Sequence, residues 1–477
     1  MSNRISASFS PVSNAGVILF WKTHQVVIGF MCIIWCLIPL FLGGSLFQLT
    51  NIPAFFILII SLVTFHGRSL WQIIAIRLGF GVREATGATR WTMSPMSAFS
   101  TVGYIDVAGV TDKIIKPVEV VNTDYNGACF LFDKENGQAT AVLKMTAIPF
   151  LFLSADTQDE RALAWSDLLS SLAEHKDIVR IVTQARSLPV ENVRDDSFTR
   201  EEDFSKRDAG NVNSQLHKVM SHDLILTVTV DVEKAQNFIT THGGGIRGIS
   251  ELLKTRLIPI VSFLEDAGID KEFSILWLNY GQVRGLMKTM VDPSSNTILS
   301  KHGELDDTIP VSTSYTEFAN EVQVGSMYAR TYWIDKFPEK SVYSGFLKQF
   351  IVQKTYSMVF TQVWRCIEGH KAQKVLGNRV AELERIKSIN ERIGRVSSKK
   401  YDQELESIRQ RLEELPKFNA EVEFQGYVTL ISPDLYVLND QTNMLVTKTS
   451  FVHYDRMTCQ QWVGWLNALP MGLAGRS

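Results

Sequence analysis

Polar and apolar positions along the chain fall into distinct regimes. From Thr23 to Phe65 there is no Asp, Glu, Lys or Arg, and residues 26–49 read VVIGFMCIIWCLIPLFLGGSLFQL. A bilayer core takes about 20 apolar residues in a helix, and this run is long enough. A polar turn at Gln48, Thr50, Asn51 and Pro53 leads into a second apolar run, 54–65, which extends through His66 into 70–80 with Arg68 directed toward the headgroups. The pattern predicts a two-helix transmembrane hairpin. A buried hairpin in a soluble core is the alternative. A cleaved signal peptide is disfavoured because the run is long, starts late and is followed at once by another.

Beyond the hairpin the period changes repeatedly. Residues 83–96 are polar and read as a linker. Strands are predicted at 104–110, 118–121, 128–132 and 140–153, separated by turn signals at Asn126–Gly127 and Glu135–Asn136–Gly137. At 156–175, Ala162, Trp165, Leu168, Leu169 and Leu172 share a helical face, with Asp156, Asp159 and Glu160 in the first turn. A strand at 177–185, a charged loop at 187–209, a β-branched strand at 224–232 and a helix at 249–267 around Pro259 complete an α+β sandwich with helices on one face. After a boundary loop at 292–307, strands follow at 326–336 and 351–361. Residues 368–416 are charged and helical, with Leu376, Val380, Leu383 and Ile386 on one stripe and a break near 394–399. This reads as a helical hairpin, with a single long coiled coil as the alternative; its mixed outer charge is a solvated face. Strands at 421–432 and 443–453 and a short helix at 460–468 end the pattern. No period of the array-forming kind is visible.

The expected fold class is therefore α+β: an N-terminal two-helix transmembrane hairpin followed by cytoplasmic α+β units with a long helical insertion. The expected domains are a leader and hairpin at 1–82, an α+β domain at 83–300, and a second α+β unit at 301–477 with the helical hairpin at about 364–416.

Composition changes this picture little. The 477 residues are 45% hydrophobic and 21% charged, with net charge −2 and a mean hydropathy of +0.03. This excludes wholesale disorder and a nucleic-acid coat. Five cysteines exclude a disulfide framework. The charge placement matters more. Arg4 and Lys22 precede the hairpin, Arg68, Arg77, Arg83 and Arg90 follow it, and the turn at 48–52 has none. The positive-inside rule then puts both termini and the large domain in the cytoplasm. A reducing compartment suits the scattered Cys129, Cys366 and Cys459, while Cys32 and Cys36 read as small packing residues of the first span.

Candidate chemistry is sparse. No G-x-x-x-x-G-K-[ST] phosphate loop occurs, so the strand at 224–230 ending near Asp231 and Glu233 reads as an ordinary strand with an exposed acid, not a Mg²⁺ site. Gly243, Gly245 and Gly248 match G-x-G-x-x-G, but a helical turn at 233–239 separates them from the strand, and a connection or helix cap is the simpler reading. His217 and His222 lie in a polar stretch and read as surface residues. H-E-x-x-H, C-x-x-C and G-x-S-x-G are absent. No catalytic, cofactor-binding or metal-binding residue is assigned, no cofactor is expected, and no basic, aromatic-interleaved patch points to specific nucleic-acid binding.

The order of parts and several short segments carry a resemblance. Residues 66–71 read HGRSLW, 290–293 read MVDP, 328–338 form a strand ending in an aromatic–Pro pair ahead of 351–361, and 465–472 read WLNALPMG. Together these resemble the membrane protein of actinobacterial integrative and conjugative elements, in which a PrgI-like hairpin is fused to a region similar to the non-motor part of the CagE/TrbE/VirB conjugation ATPases. Ala468–Leu469–Pro470–Met471–Gly472 resembles the segment that precedes the motor in the full-length ATPases. The resemblance implies a non-enzymatic, multi-pass subunit of the bacterial inner membrane, serving a type IV secretion-like DNA-transfer apparatus. Its implied partners are the membrane, a separate VirB-type secretion ATPase, other conjugation-channel membrane subunits and further copies of itself. A peripheral component of a type VII-like secretion system and a membrane-anchored enzyme are the alternatives.

Overall fold

The computed structural model describes residues 6–7, 30–35, 37–38, 56, 64–65, 68–92, 104–105, 118–145, 154–190, 219–266, 275–304, 314–338, 342–343, 346–392, 399–418 and 420–473. These residues form two compact units. The first comprises Met1–Ala7, Thr86–Ile367 and Val422–Ser477; the second comprises Ser8–Ala85 and Glu368–Glu421.

The first unit is built on one large antiparallel sheet, 14-stranded among the described residues. Its strands are β1 (Arg90–Thr92), β2 (Tyr104–Ile105), β3 (Val118–Asn122), β4 (Cys129–Asp133), β5 (Gln138–Met145), β6 (Ile178–Val190), β7 (Val219–Asp231), β8 (Ile275–Trp277), β9 (Ser314–Glu317), β10 (Val322–Val324), β11 (Met327–Lys336), β12 (Ser357–Glu368), β13 (Ala420–Ser432) and β14 (His453–Arg456). Their order is β1-β9-β10-β11-β13-β12-β6-β7-β5-β4-β3-β2, with β8 added beside β5 and β14 beside β11.

The helices of this unit are α2 (Ala155–Ala173), α3 (Gln236–Thr241), α4 (Gly245–Asp266), α5 (Tyr280–Val291), α6 (Ser295–His302), α7 (Lys348–Ile351), α10 (Leu435–Lys448) and α11 (Gln461–Leu466). Successive side chains of a strand point to opposite faces, so the sheet has two covers. On one face Ile181, Leu226, Val228 and Leu143 pack under α2, α3 and α4, and Phe360, Val428, Leu430 and Tyr332 pack under α7 and α10. On the other, Val142, Ile225, Val359 and Ile431 pack under α5 and the segment from Trp462 to Met471.

Local chemistry explains the element ends. Asn126, Gly127 and Gly137 take positive φ in the β3–β4 and β4–β5 turns, where the left-handed region admits Gly and Asn most easily. Ser154 caps α2 through the amide of Thr157, and Asn279 with Gln282 forms a capping box on α5.

The second unit contains α1 (Leu70–Ala85), α8 (Gly369–Arg392) and α9 (Lys399–Phe418). The last two pack on each other through Leu376, Leu383, Leu405 and Ile408, with Val380 and Leu412 beside them. Arg379 lies across the seam, donating to Glu404 at 2.8 Å and to Glu382 at 2.9 Å.

Several expectations are corrected. The fold is not a transmembrane hairpin followed by α+β units; it is a large antiparallel sheet with helices. Among the described residues no helix is long and apolar enough to cross a membrane, which overturns the multi-pass inner-membrane placement. The helix expected to complete the second span, α1, has 16 residues and carries Arg77, Arg83 and Glu84. At 1.5 Å per residue it reaches about 24 Å, against the ~30 Å of a bilayer core. Of the first expected span, only 30–35 and 37–38 lie among the described residues. Strands from both sides of the boundary expected near residue 300 share the one sheet. Residues 443–448, read as strand, belong to α10, because Asp434 caps that helix and Leu438, Thr442 and Leu445 recur on its buried side. The boundary loop at 292–307 contains α6.

Candidate functional site

The motifs considered in the sequence do not converge. Asp231 closes a turn after β7, accepting the amides of Glu233 at 3.0 Å and Lys234 at 3.2 Å. Gly243, Gly244 and Gly245 have positive φ and link α3 to α4. Gly248 packs against the Ile239 carbonyl so closely that a Cβ would not fit. His222 is half-buried, 3.0 Å from the Ser187 hydroxyl, and burial lowers its pKa; His217 lies outside the described residues. Among the described residues no group of His, Cys, Asp or Glu is placed to hold a metal ion. Cys129 and Cys459 are buried, and burial pushes the Cys129 thiol up to about 12.

The concentration of buried polar chemistry lies elsewhere, on the face covered by the carboxyl-terminal segment. Thr140 of β5, Thr227 and Thr229 of β7, Gln184 of β6, Thr361 of β12, Thr429 of β13 and Thr331 of β11 are all buried. Their registers place Thr140 opposite Thr229, Thr227 opposite Val182, Thr361 opposite Gln184 and Thr331 opposite Thr429. They form a polar band across the middle of the sheet, and the segment from Gln461 to Gly472 lies over it.

The band exists because that segment is irregular after α11. Its carbonyls make no helical or sheet ladder, although Leu469 O accepts the Met471 amide at 2.8 Å, and a buried carbonyl without a donor costs about 1–3 kcal/mol. Gln184 donates both amide hydrogens, to Asn467 O at 3.0 Å and Leu469 O at 2.9 Å. Thr361 donates to Asn467 O at 3.3 Å. Arg180 donates to Gly472 O and, at 2.8 Å, to Gln138. At the other end Gln461 clasps the backbone of Thr331, accepting from its amide at 2.8 Å and donating to its carbonyl at 3.3 Å. Trp462 stacks on Tyr315 with ring centroids 4.0 Å apart, and its amide donates to Glu317 at 3.1 Å.

Two glycines permit the close approach. A Cβ on Gly464 would sit 2.7 Å from Thr331 Cβ, and one on Gly472 would sit 2.7 Å from Thr229 Oγ1. Gly472 also has φ +63°. Beside the band, Arg186 is fully buried and donates to Leu286 O at 2.8 Å and Thr289 Oγ1 at 2.7 Å on α5. Burial lowers Arg186 to about 10 against the opposing pull of Asp223, and lowers Arg180 to about 10 with Arg365 adding to the shift. Both stay charged at neutral pH, so the band carries buried positive charge.

Sequence reasoning missed this band. Thr227 and Thr229 alternate with apolar residues, a pattern that reads as a solvent-facing edge of a strand. Only the overlying segment makes those positions interior. The arrangement is an anchoring device; it brings no general base beside an accessible nucleophile. The chain matches no protein-family model and no curated protein.

Proposed function

We propose that the chain is a non-enzymatic scaffolding subunit of a conjugation-type DNA-transfer apparatus, on which a separate translocation ATPase docks. The observation that carries this reading is the anchoring of the segment 468–472. That segment resembles the link into the motor of full-length conjugation ATPases, and here it is fastened to the sheet by Gln184 at Leu469 O and Arg180 at Gly472 O, with Gln184 and Thr361 holding the Asn467 carbonyl just before it. A scaffold needs a rigid exit from its body, and buried hydrogen-bonded carbonyls supply one.

Co-expression with the phosphate-loop ATPase encoded by the same genetic element tests the reading. The two proteins are expected to copurify and to co-elute on size exclusion. A natively isolated complex that contains this subunit and no such ATPase would overturn it.

A further inference from the structure

The strand order reads the same from its two ends toward the middle. In the first part of the chain, β4 and β5 form a hairpin, β6 and β7 follow, and β8 returns to the edge of β5 beside β4. In the second part, β10 and β11 form a hairpin, β12 and β13 follow, and β14 returns to the edge of β11 beside β10. The pairings correspond one to one: β4–β5 with β10–β11, β5–β7 with β11–β13, β7–β6 with β13–β12, and β5–β8 with β11–β14. Helices occupy matching connections. α2 and α7 lead into the third strand, α3 with α4 and α10 follow the fourth, and α5 and α11 follow the returning fifth. The outer neighbours β3 and β9 also correspond.

Side chains repeat the match. Thr140 faces Thr229 across β5–β7 with hydroxyls 2.9 Å apart, and Thr331 faces Thr429 across the corresponding β11–β13 pair with hydroxyls 3.0 Å apart. A glycine of the carboxyl-terminal segment lies over each pair, Gly472 against Thr140 and Thr229 and Gly464 against Thr331. The two halves meet at the antiparallel β6–β12 ladder, Met358 opposite Ser187 through Arg365 opposite Arg180. An antiparallel pair of equivalent strands has the symmetry of an isologous two-fold interface.

The covers cross this axis in both directions. α5 begins over its own half, where Leu278 bonds to Cys129 and Val142, and ends with Val291 against Gly325 of the other half. α11 begins over its own Thr331, and the segment after it ends with Gly472 against Thr140 and Thr229 of the other half. We propose that the sheet is two copies of one module, fused about a pseudo-two-fold axis through the β6–β12 ladder, with their carboxyl-terminal covers exchanged. The central ladder is then a fused homodimer-type interface whose partner surface is the module's own second copy. Each module carries its insertion at the same point, between its third and fourth strands: residues 191–218 in the first, α8 and α9 in the second.

Two measurements on the full chain test this. Superposing β4–α5 on β10–α11 in an experimental structure is expected to require a rotation close to a half-turn with corresponding strands coincident; a rotation far from a half-turn, or strands that do not coincide, overturns the duplication. Hydrogen exchange tests the swap. Val291→Ala, with Val291→Asp as the stronger variant, is expected to speed exchange in β9 and β10 roughly tenfold. Gly472→Ala, with Gly472→Val as the stronger variant, is expected to do the same in β5 and β7. Changes confined to the mutated residue's own half, with the opposite half unaltered, overturn the exchange of covers.

Discussion

Gln184, in the middle of the central strand β6, spends both hydrogens of its side-chain amide on carbonyls of the carboxyl-terminal segment: 3.0 Å to Asn467 and 2.9 Å to Leu469. One side chain thus satisfies two buried acceptors nearly three hundred residues away in sequence. Gln184→Leu removes both bonds, leaving Asn467 O with only Thr361 at 3.3 Å and Leu469 O with only the Met471 amide at 2.8 Å. The expected loss is about 1–3 kcal/mol, from two hydrogen bonds at a net 0.5–1.5 kcal/mol each. Urea unfolding of the two proteins side by side measures it, and equal midpoints would refute the role assigned to this residue.

Gly464 tests the close approach at the other end of the band. An added methyl would stand 2.7 Å from Thr331 Cβ, which is backbone-anchored and cannot rotate away. Gly464→Ala gains helix propensity but overpacks the seam, and such overpacking costs about 1–3 kcal/mol. A lower melting temperature is expected; an unchanged or higher one would show that the segment can lift off without penalty.

Thr227 gives a prediction of opposite sign. Its hydroxyl is buried in the band without a hydrogen-bond partner. Thr227→Val keeps the shape and removes the unpaired group, so stability is expected to rise by about 1 kcal/mol. Calorimetry checks this, and a destabilised variant would mean that the hydroxyl is satisfied.

Alkaline pH bears on Cys129. Burial raises its thiol from 9.0 to about 12, so the folded protein holds a proton that the unfolded chain releases. The stabilising contribution is therefore complete below pH 9 and is lost as pH rises toward 12. Within that window the slope from this residue approaches about 1.4 kcal/mol per pH unit. Cys129→Ala is expected to flatten the decline in stability between those pH values; parallel curves for the two proteins would refute it. Below pH 9 the native thiol is expected to resist a disulfide reagent that modifies it after unfolding.

Much of the local structure was legible because local forces set it. The β-branched run that became β7, the amphipathic face of α2 and the stripe Leu376, Val380 and Leu383 in α8 each follow from a period and a capping or turn residue. The strands Ser314–Glu317 and Val322–Val324 were not legible, since so few residues show no period. The apolar residues of α1 suggested a span, but its charges and length end it within 16 residues.

The candidate site was not legible at all, and its two ends show why. Thr331 and Thr229 look alike in sequence to any threonine on a solvent face. Their burial depends on Gly464 and Gly472 being laid over them by a chain that arrives from far downstream. The sequence by itself determined the longer periodic elements, such as the strand Val219–Asp231 and the helices Ala155–Ala173 and Gly369–Arg392, and several of their turns. Only the tertiary structure decided that the strands form one sheet, that its halves repeat, and that a polar band anchors the final segment. Strand pairing and burial are set by long-range contacts, and a one-dimensional pattern of polarity does not record which partner covers a face.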